Sequence, residues 1–185
     1  MSARAASIST KTGDGGMTGL QGARLSKADP RIEALGTLDE LDAVLAEAQS
    51  LCTGETGELI ETVRDEIFYV IMPALNAPRT ARDSAGKVPP VSSFNNNNDG
   101  DGENEGTDAP EKTLIPRLEA WIAKLKKANP PTDFVRNWNG PAALKLNLAR
   151  TVCRRAERRA AAAAAESLVA YLNRLSDLLF LLSAR

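Results

Sequence analysis

Nineteen consecutive residues, LARTVCRRAERRAAAAAAE from Leu148 to Glu166, indicate the fold of this 185-residue chain. Alanine and arginine are strong helix formers, and five arginines surround a single glutamate here before a run of six alanines. At 100° per residue, the arginines and Glu157 lie away from the side expected to face a core. That core side would hold Leu148, Ala149, Val152, Cys153 and Ala156. The stretch therefore predicts a helix that is buried on one side and cationic on the other.

Apolar residues at helical spacing predict four more helices along the chain. Asp29 followed by Pro30 is typical of a helix start, and Pro73 is expected to kink or stop the second helix. No strand-like alternation stands out. The predicted helices cover residues 30–49, 58–75, 114–128, 142–165 and 166 to the end. The sequence thus predicts an all-α bundle of about five helices in a single domain of residues 1–185.

Two segments fall outside the predicted helices. Residues 1–25 are read as a glycine-rich N-terminal loop. Residues 76–110 are dominated by Pro, Gly, Ser, Asn and Asp, which predicts a disordered low-complexity insertion. Within it, residues 97–108 loosely resemble a calcium-binding loop. Their first ligand is Asn and their last is Asp, and prolines crowd the flanks, so a solvated segment is the favoured interpretation.

Composition narrows the function classes. The formal net charge is −1, so no overall field favours nucleic acid or an anionic membrane, and any basic site must be local. There is no histidine, which removes the commonest general base and metal ligand. Cys52 and Cys153 have no ligand-like spacing, and no apolar run reaches the ~20 residues that span a bilayer. We expect a soluble intracellular protein, in the cytoplasm or the mitochondrial matrix.

Three polar motifs point to an anionic ligand. The arginines of the opening stretch could bind phosphate oxygens in bidentate fashion, although a solvated face with Arg–Glu pairs explains them as well. The segment TKTGDGGMTG supplies backbone amides and Lys11, as a phosphate-binding loop does, but it matches no standard nucleotide-binding fingerprint. In YLNRLSDLLF, Asn173, Ser176 and Asp177 fall on one edge, which suits recognition of a ribose or base, or a network that orients the arginines.

These motifs occur in a characteristic order. TKTGDGG, a downstream SK-DPR with DEL, ARTVCRRAER and YLNRLSD follow one another, and together this series resembles the PduO-type ATP:cob(I)alamin adenosyltransferases. The resemblance covers residues 8–50 and 134–185. It implies an up-and-down, ferritin-like five-helix bundle that forms a homotrimer with its active sites between subunits.

The resemblance also implies a reaction and its ligands. The 5′-deoxyadenosyl group of ATP would pass to the cobalt of reduced cobalamin, with release of triphosphate. Cobalt(I) is itself a strong nucleophile, so no general base is needed. Mg²⁺ would bind through the ATP phosphates, without dedicated protein ligands. A corrinoid reductase and a B12-dependent mutase are candidate partners, and neither nucleic acid nor a membrane is expected to bind.

Individual residues inherit roles from the resemblance. Arg154, Arg155 and Glu157 would be catalytic, and Phe134 would face the corrinoid. Arg150, one turn before the phosphate arginines, is predicted to pair with Asp39 or Glu40, within the chain or across a subunit interface. Asp39, Arg150 and Asp177 are thus predicted to be structural or interface residues. The predicted ATP contacts are Thr10, Lys11, Thr12, Gly13, Thr18, Lys27, Arg154, Arg155, Glu157, Arg158 and Asn173.

The sequence departs from the family pattern mainly where the corrinoid would bind. Residues 136–139 read RNWN where the family usually has Leu-Pro-Gly-Gly after a valine, and Asn147 stands where it usually has histidine. Two alternatives to an active enzyme therefore remain open. One is a non-catalytic ATP-binding relative that acts as a sensor or a corrinoid carrier. The other is a structural bundle with a solvated charged face.

Overall fold

Helices make up nearly all of the regular structure. The structure is a computed structural model that describes residues 11–20, 22–76, 110–128 and 137–184. Within these ranges a π-helical turn joins two helices into one rod, so five helical rods are present, and the prediction of an all-α five-helix bundle is confirmed. In chain order the elements are β1 (Met17–Leu20), β2 (Ala23–Ser26), α1 (Pro30–Ser50), α2 (Gly54–Glu66), the π turn (Ile67–Ile71), α3 (Met72–Asn76), α4 (Pro110–Ala128), α5 (Gly140–Ala162) and α6 (Glu166–Ser183).

Polar contacts between neighbouring rods show that the bundle runs up and down. Glu33 and Glu47 of α1 pair with Arg159 and Lys145 of α5, so these two helices are antiparallel. Glu55 and Glu66 of α2 likewise meet Lys124 and Arg117 of α4 in reverse order. Arg64 joins α2 to Asp42 of α1, and Arg174 joins α6 to Glu119 of α4. The rods therefore form a closed ring in the order α1, α2, α4, α6 and α5.

Leucine stripes fill the centre of this ring, as the helical spacing predicted. Leu38, Leu41 and Leu45 of α1 are fully buried, as are Leu172 and Leu175 of α6. On α5 the small residues predicted to face the core are also buried. Leu148 was wrongly placed among them, because its side chain is 43% exposed. The buried side of α5 is thus lined by side chains no larger than valine along the arginine segment, which lets α1 and α6 pack closely against it.

The N-terminal segment contains more structure than predicted. Strands β1 and β2 form an antiparallel hairpin in which Thr18 lies opposite Leu25. The prediction of a plain loop over residues 1–25 is therefore wrong for this part. The strands are only four residues long and mostly exposed, so they lack the apolar alternation that identifies a strand in a sequence.

The start of α1 agrees with the prediction, but the course of the chain through Pro73 does not. α1 begins as predicted, with Asp29 Oδ1 accepting the Arg31 amide at 2.9 Å. Pro73 does not stop its rod, since the π turn precedes it and α3 continues through it. The Met72 amide donates to the Ile67 carbonyl, five residues back. We attribute this wide turn to Pro73, because its ring excludes the carbonyl that normal helical geometry would place against it.

The alanine run ends its helix earlier than predicted. α5 stops at Ala162, and Ala164 adopts φ 53°, a left-handed conformation unusual for alanine. The Ala165 amide donates to the Ala160 carbonyl at 3.0 Å, and buried Ala165 leads directly into α6. The reversal is therefore set by the packing of α6 on α5 and not by a glycine stop signal. The predicted insertion of residues 76–110 begins and ends in helices, and residues 77–109 between them lie outside the described ranges.

A buried carboxylate ties three rods together inside the bundle. Glu66, 4% exposed, accepts a hydrogen bond from the Tyr171 hydroxyl at 2.5 Å and pairs with Arg117. Arg117 in turn lies over the ring of Trp121, 5.6 Å from its centroid. Burial raises the pKa of the Tyr171 hydroxyl well above its ordinary value, so Tyr171 remains a donor to Glu66 at any physiological pH.

We predict that Tyr171→Phe destabilises the protein by about 1–3 kcal/mol, because Glu66 loses a donor in a site that excludes water. The free energy of unfolding in urea measures this loss. Tyr69→Phe is the matched control, since Tyr69 is 63% exposed and lies outside the network. Equal stability of the two variants would mean that the Glu66 contact contributes nothing.

Candidate functional site

The cationic side of α5 presents two arginines to solvent. Arg154 and Arg158 are exposed and stand one turn apart, and Arg158 Nη1 donates to the Arg154 carbonyl at 2.9 Å. In the part of the chain that the structure describes, no ion pair is formed by either guanidinium. Two guanidinium groups on one helix face, neither neutralised by a carboxylate, form a surface suited to an anion.

Two further arginines of the opening stretch contact carboxylates of α1. Arg159 Nε lies 3.2 Å from Glu33, and Arg155 Nη2 contacts Glu40 as an ion pair without hydrogen-bond geometry. These partners are substantially exposed, so each pair contributes little to stability. Arg155, whose contact lacks hydrogen-bond geometry, could exchange its carboxylate for a ligand.

Arg150 does not make its predicted contact within the chain. Its Nε donates to the Asn147 amide oxygen at 3.0 Å, and Glu40 pairs with Arg155 instead. Over residues 11–20, 22–76, 110–128 and 137–184, no ion pair joins Arg150 to Asp39 or Glu40. The intrachain form of that prediction is therefore wrong, because Arg155 is the arginine on the α1-facing side. The intersubunit form stays a prediction.

Glu157 and Asn173 meet across α5 and α6. Asn173 Nδ2 donates to Glu157 Oε1 at 3.1 Å, and both side chains are half-buried. The Glu157 carboxylate thus lies on the same helix as Arg154 and Arg158, and the Asn173 amide contacts it from α6. The two helices have brought together residues 16 positions apart that the sequence placed in separate motifs.

The glycine-rich loop brings Lys27 over Gly13. A Cβ on Gly13 would lie 3.2 Å from Lys27 Nζ, so the ammonium group sits directly against the loop. The Lys27 amide donates to the Gly16 carbonyl at 2.8 Å, and Arg24 Nη2 donates to the Thr12 carbonyl at 2.8 Å. Lys11 adopts φ 57°, in the left-handed region. The hairpin therefore folds the loop back so that Lys27 is added to it.

Loop and arginines lie toward the same end of the α1–α5 pair. Lys27 precedes α1 by two residues, and Glu33 in the first turn of α1 contacts Arg159 near the end of α5. This places the N-terminal loop beside the C-terminal half of α5, which carries the exposed arginines.

Some predicted residues are not part of this arrangement. Thr10 and Phe134 lie outside the described residues. Asp39 and Asp177 are exposed, and Thr18 is half-buried in β1. Arg174, the neighbour of Asn173, pairs with Glu119 at 3.0 Å, a residue the sequence did not single out. Ser176 is buried and bonds the Asn173 carbonyl, so it is not on the polar edge.

Two counter-ions on α1, Glu33 and Glu47, were missed and Glu40 was assigned to a different arginine, although the sequence contained a signal for all three. Glu33, Glu40 and Glu47 recur every seven residues and all three pair with cations of α5. A glutamate repeat of this period on one helix, beside an arginine-rich helix, indicates an antiparallel ionic seam.

The described ranges contain neither a group of three potential metal-binding His, Cys, Asp or Glu residues nor a helix long and apolar enough to cross a membrane. Cys153 is fully buried on the core side of α5, and burial strongly raises the pKa of its thiol, which donates to the Leu172 carbonyl at 3.2 Å. Cys153 therefore belongs to the core and not to the polar site.

The fold and site define a helical bundle with a helix face whose exposed arginines suit an anion. Residues 8–185 match the cobalamin adenosyltransferase family, so the chain belongs to that family. It is 34% identical over 184 residues to the corrinoid adenosyltransferase PduO of Salmonella typhimurium, covering 95% of this chain and 48% of that protein. A Bacillus subtilis corrinoid adenosyltransferase is 31% identical over 92% of this chain and 81% of its own length.

A solved structure shows the same architecture. A variant PduO-type ATP:corrinoid adenosyltransferase from Lactobacillus reuteri, complexed with cobalamin and ATP, superposes with a TM-score of 0.74 at 25% identity. The match covers 96% of this chain and 89% of that one. The chain spans about half the length of the Salmonella relative.

Proposed function

We propose that this chain transfers the 5′-deoxyadenosyl group of ATP to the cobalt of reduced cobalamin, with release of triphosphate. One observation carries the proposal: Arg154 and Arg158 stand without carboxylate partners among the described residues, next to the Glu157–Asn173 pair. Family membership and the relatives' printed activities support the same reaction.

The role of the arginines follows from where charge develops. Cobalt(I) attacks C5′, a cobalt–carbon bond forms, and the C5′–oxygen bond breaks, so the electron pair leaves with triphosphate. Arg154 and Arg158 would hold that triphosphate and stabilise its additional negative charge. Mg²⁺ would accompany the nucleotide on its phosphate oxygens. This accounts for concentrated positive charge in a chain of net charge −1.

Glu40 prepares Arg155 for the same ligand. In the free chain Arg155 rests against the Glu40 carboxylate without hydrogen-bond geometry, and both side chains are partly exposed. Triphosphate carries more charge than one carboxylate and offers bidentate acceptors, so it would draw the guanidinium away from Glu40. Lys11, Thr12, Gly13 and Lys27 would contribute amides and charge from the hairpin side.

A homotrimer would complete the site. Leu144 and Leu148, 55% and 43% exposed, lie on one side of α5 in line with Arg155, about three and two turns before it. An apolar surface that continues directly into the cationic one favours an interface in which a neighbouring subunit closes the ligand site. Arg150 and Asp39 remain the predicted ion pair across that interface.

Arg154→Ala is expected to reduce adenosylation by at least about 100-fold, because a guanidinium that binds developing charge typically contributes on that scale. The measurement is the absorbance change of cobalt–carbon bond formation with ATP, magnesium and chemically reduced cobalamin under anaerobic conditions. Arg159→Ala is the control, since Arg159 is also exposed on α5 but is paired with Glu33. Near-equal losses in both variants would contradict the assignment.

The same assay separates the enzyme from a binding protein. If the unaltered chain binds ATP by calorimetry but gives no cobalt–carbon bond, the departures at residues 136–139 and Asn147 have disabled the corrinoid side. The chain would then be a non-catalytic ATP-binding relative, as a sensor or carrier. Absence of ATP binding would leave a structural bundle.

Gly13→Ala is predicted to weaken ATP binding by about three- to tenfold, because the new methyl group shifts the Lys27 ammonium against the loop and weakens its contact without abolishing it. Titration calorimetry gives the dissociation constant. Gly15→Ala is matched, since a Cβ there meets no atom within 4 Å. Equal affinity of the two variants for ATP would mean that Lys27 does not contribute to ATP binding.

Leu148→Glu is expected to break the trimer, since it buries a charge in an apolar interface. Light scattering coupled to size exclusion should give three times 19.7 kDa for the unaltered chain and less for the variant. Leu51→Glu is the control, because Leu51 is also 43% exposed. An unaltered chain that runs as a monomer would contradict the trimer.

A double exchange, Asp39→Arg with Arg150→Asp, should restore the trimer that each single variant loses if these residues pair across the interface.

A further inference from the structure

Four side chains form a continuous polar chain across three helices, from α4 to the candidate site. Glu119 of α4 accepts from Arg174 Nε at 3.0 Å. Arg174 Nη1 donates to Asn173 Oδ1 at 2.9 Å, and Asn173 Nδ2 donates to Glu157 Oε1 at 3.1 Å. We propose that Arg174 and Glu119 are positioning residues that fix the Asn173 amide for nucleotide binding. This inference rests on the proposed function.

The direction of every bond in this chain is fixed by chemistry. A guanidinium only donates, so Arg174 requires the oxygen of the Asn173 amide, and an ionised carboxylate only accepts, so Glu157 requires its nitrogen. The two ends demand the same amide orientation. Asn173 is therefore held at both ends in one rotamer, and its second N–H direction is set before any ligand arrives.

Glu119 contributes by restraining Arg174. An arginine side chain loses much of its rotamer entropy when it is immobilised, so a free Arg174 would bond Asn173 only part of the time. Glu119 holds Nε and thereby aims Nη1 at the Asn173 oxygen. Through this contact α4, which carries no residue predicted for the site, influences the site.

Exposure separates positioning from stability. The Arg174 and Glu119 side chains are 42% and 52% exposed, and exposed ion pairs contribute little to folding. The ion pair between Arg117 of α4 and buried Glu66 also holds the helix in place. Loss of the Glu119 contact should therefore appear in nucleotide affinity and not in unfolding.

The test compares Glu119→Gln with Glu47→Gln in the full chain, by ATP calorimetry and by the Michaelis constant for ATP. Glu47 is 53% exposed and pairs with Lys145, so it matches Glu119 in exposure and in type of contact. We expect Glu119→Gln to weaken ATP binding about three- to tenfold through misplacement of Asn173, with little change in kcat or in the urea midpoint. Glu47→Gln should match the unaltered chain.

A charge exchange distinguishes positioning from a simple tether. Glu119→Arg with Arg174→Glu restores the ion pair, but the carboxylate at position 174 would face the Asn173 oxygen as a second acceptor. ATP binding should stay weakened in this double variant. The single variant Arg174→Lys, which keeps a donor, should retain part of the affinity for ATP. Recovery of full affinity by the exchange would overturn the proposal, as would unchanged affinity in Glu119→Gln. If the unaltered chain fails to bind ATP, the proposed function fails, and this inference with it.

Discussion

The packing of α5 between α1 and α6 is the constraint on which the rest of the structure depends. Ala149, Cys153 and Ala156 are essentially inaccessible, and side chains this small allow both neighbouring helices to approach. With one side of α5 occupied in this way, its charged residues can project only from the remaining surface. The flanking helices then supply their partners, Glu40 on one side and Asn173 on the other. A larger residue on the buried side would push these helices apart and separate Glu157 from Asn173.

The polar contacts of the bundle fall into two classes that differ in burial. Glu66 is shielded from water and satisfied by Tyr171 and Arg117, so its contacts are strong and unforgiving. The pairs between α1 and α5 are exposed and individually weak. That division suits a ligand-binding helix. The core fixes where α5 stands, while the arginines on its outer side remain free to exchange carboxylates for phosphate.

Departures from the family pattern concentrate just before α5 and in its first half, ahead of Arg154 and Arg158. Trp138, part of the unusual RNWN segment, is anchored by a hydrogen bond from its Nε1 to Ser183 Oγ at 3.0 Å. Ser183 is buried and bonds the Phe180 carbonyl, so the segment entering α5 is tied to the last turn of α6. The altered sequence therefore makes a specific contact with the bundle. This is consistent with a site whose ATP side follows the family pattern and whose corrinoid side has changed.

The sequence by itself determined the helices, the leucine core and the identity of the cationic helix, because apolar periodicity and helix propensity act locally. It also indicated the start of α1, where Asp29 and Pro30 form the cap within a few residues. It did not determine the end of α5, since six alanines contain no stop signal and Ala164 turns only because α6 must pack back. It missed the β1–β2 hairpin because the short, exposed strands show no apolar alternation. It also missed that the helix continues through Pro73, which the wide π turn before it allows. It offered Asp39 or Glu40 as the partner of Arg150, but in the structure Glu40 pairs with Arg155. Which arginine is neutralised and which remains free depends on how helices distant in sequence are rotated against each other, and only the tertiary packing sets that rotation.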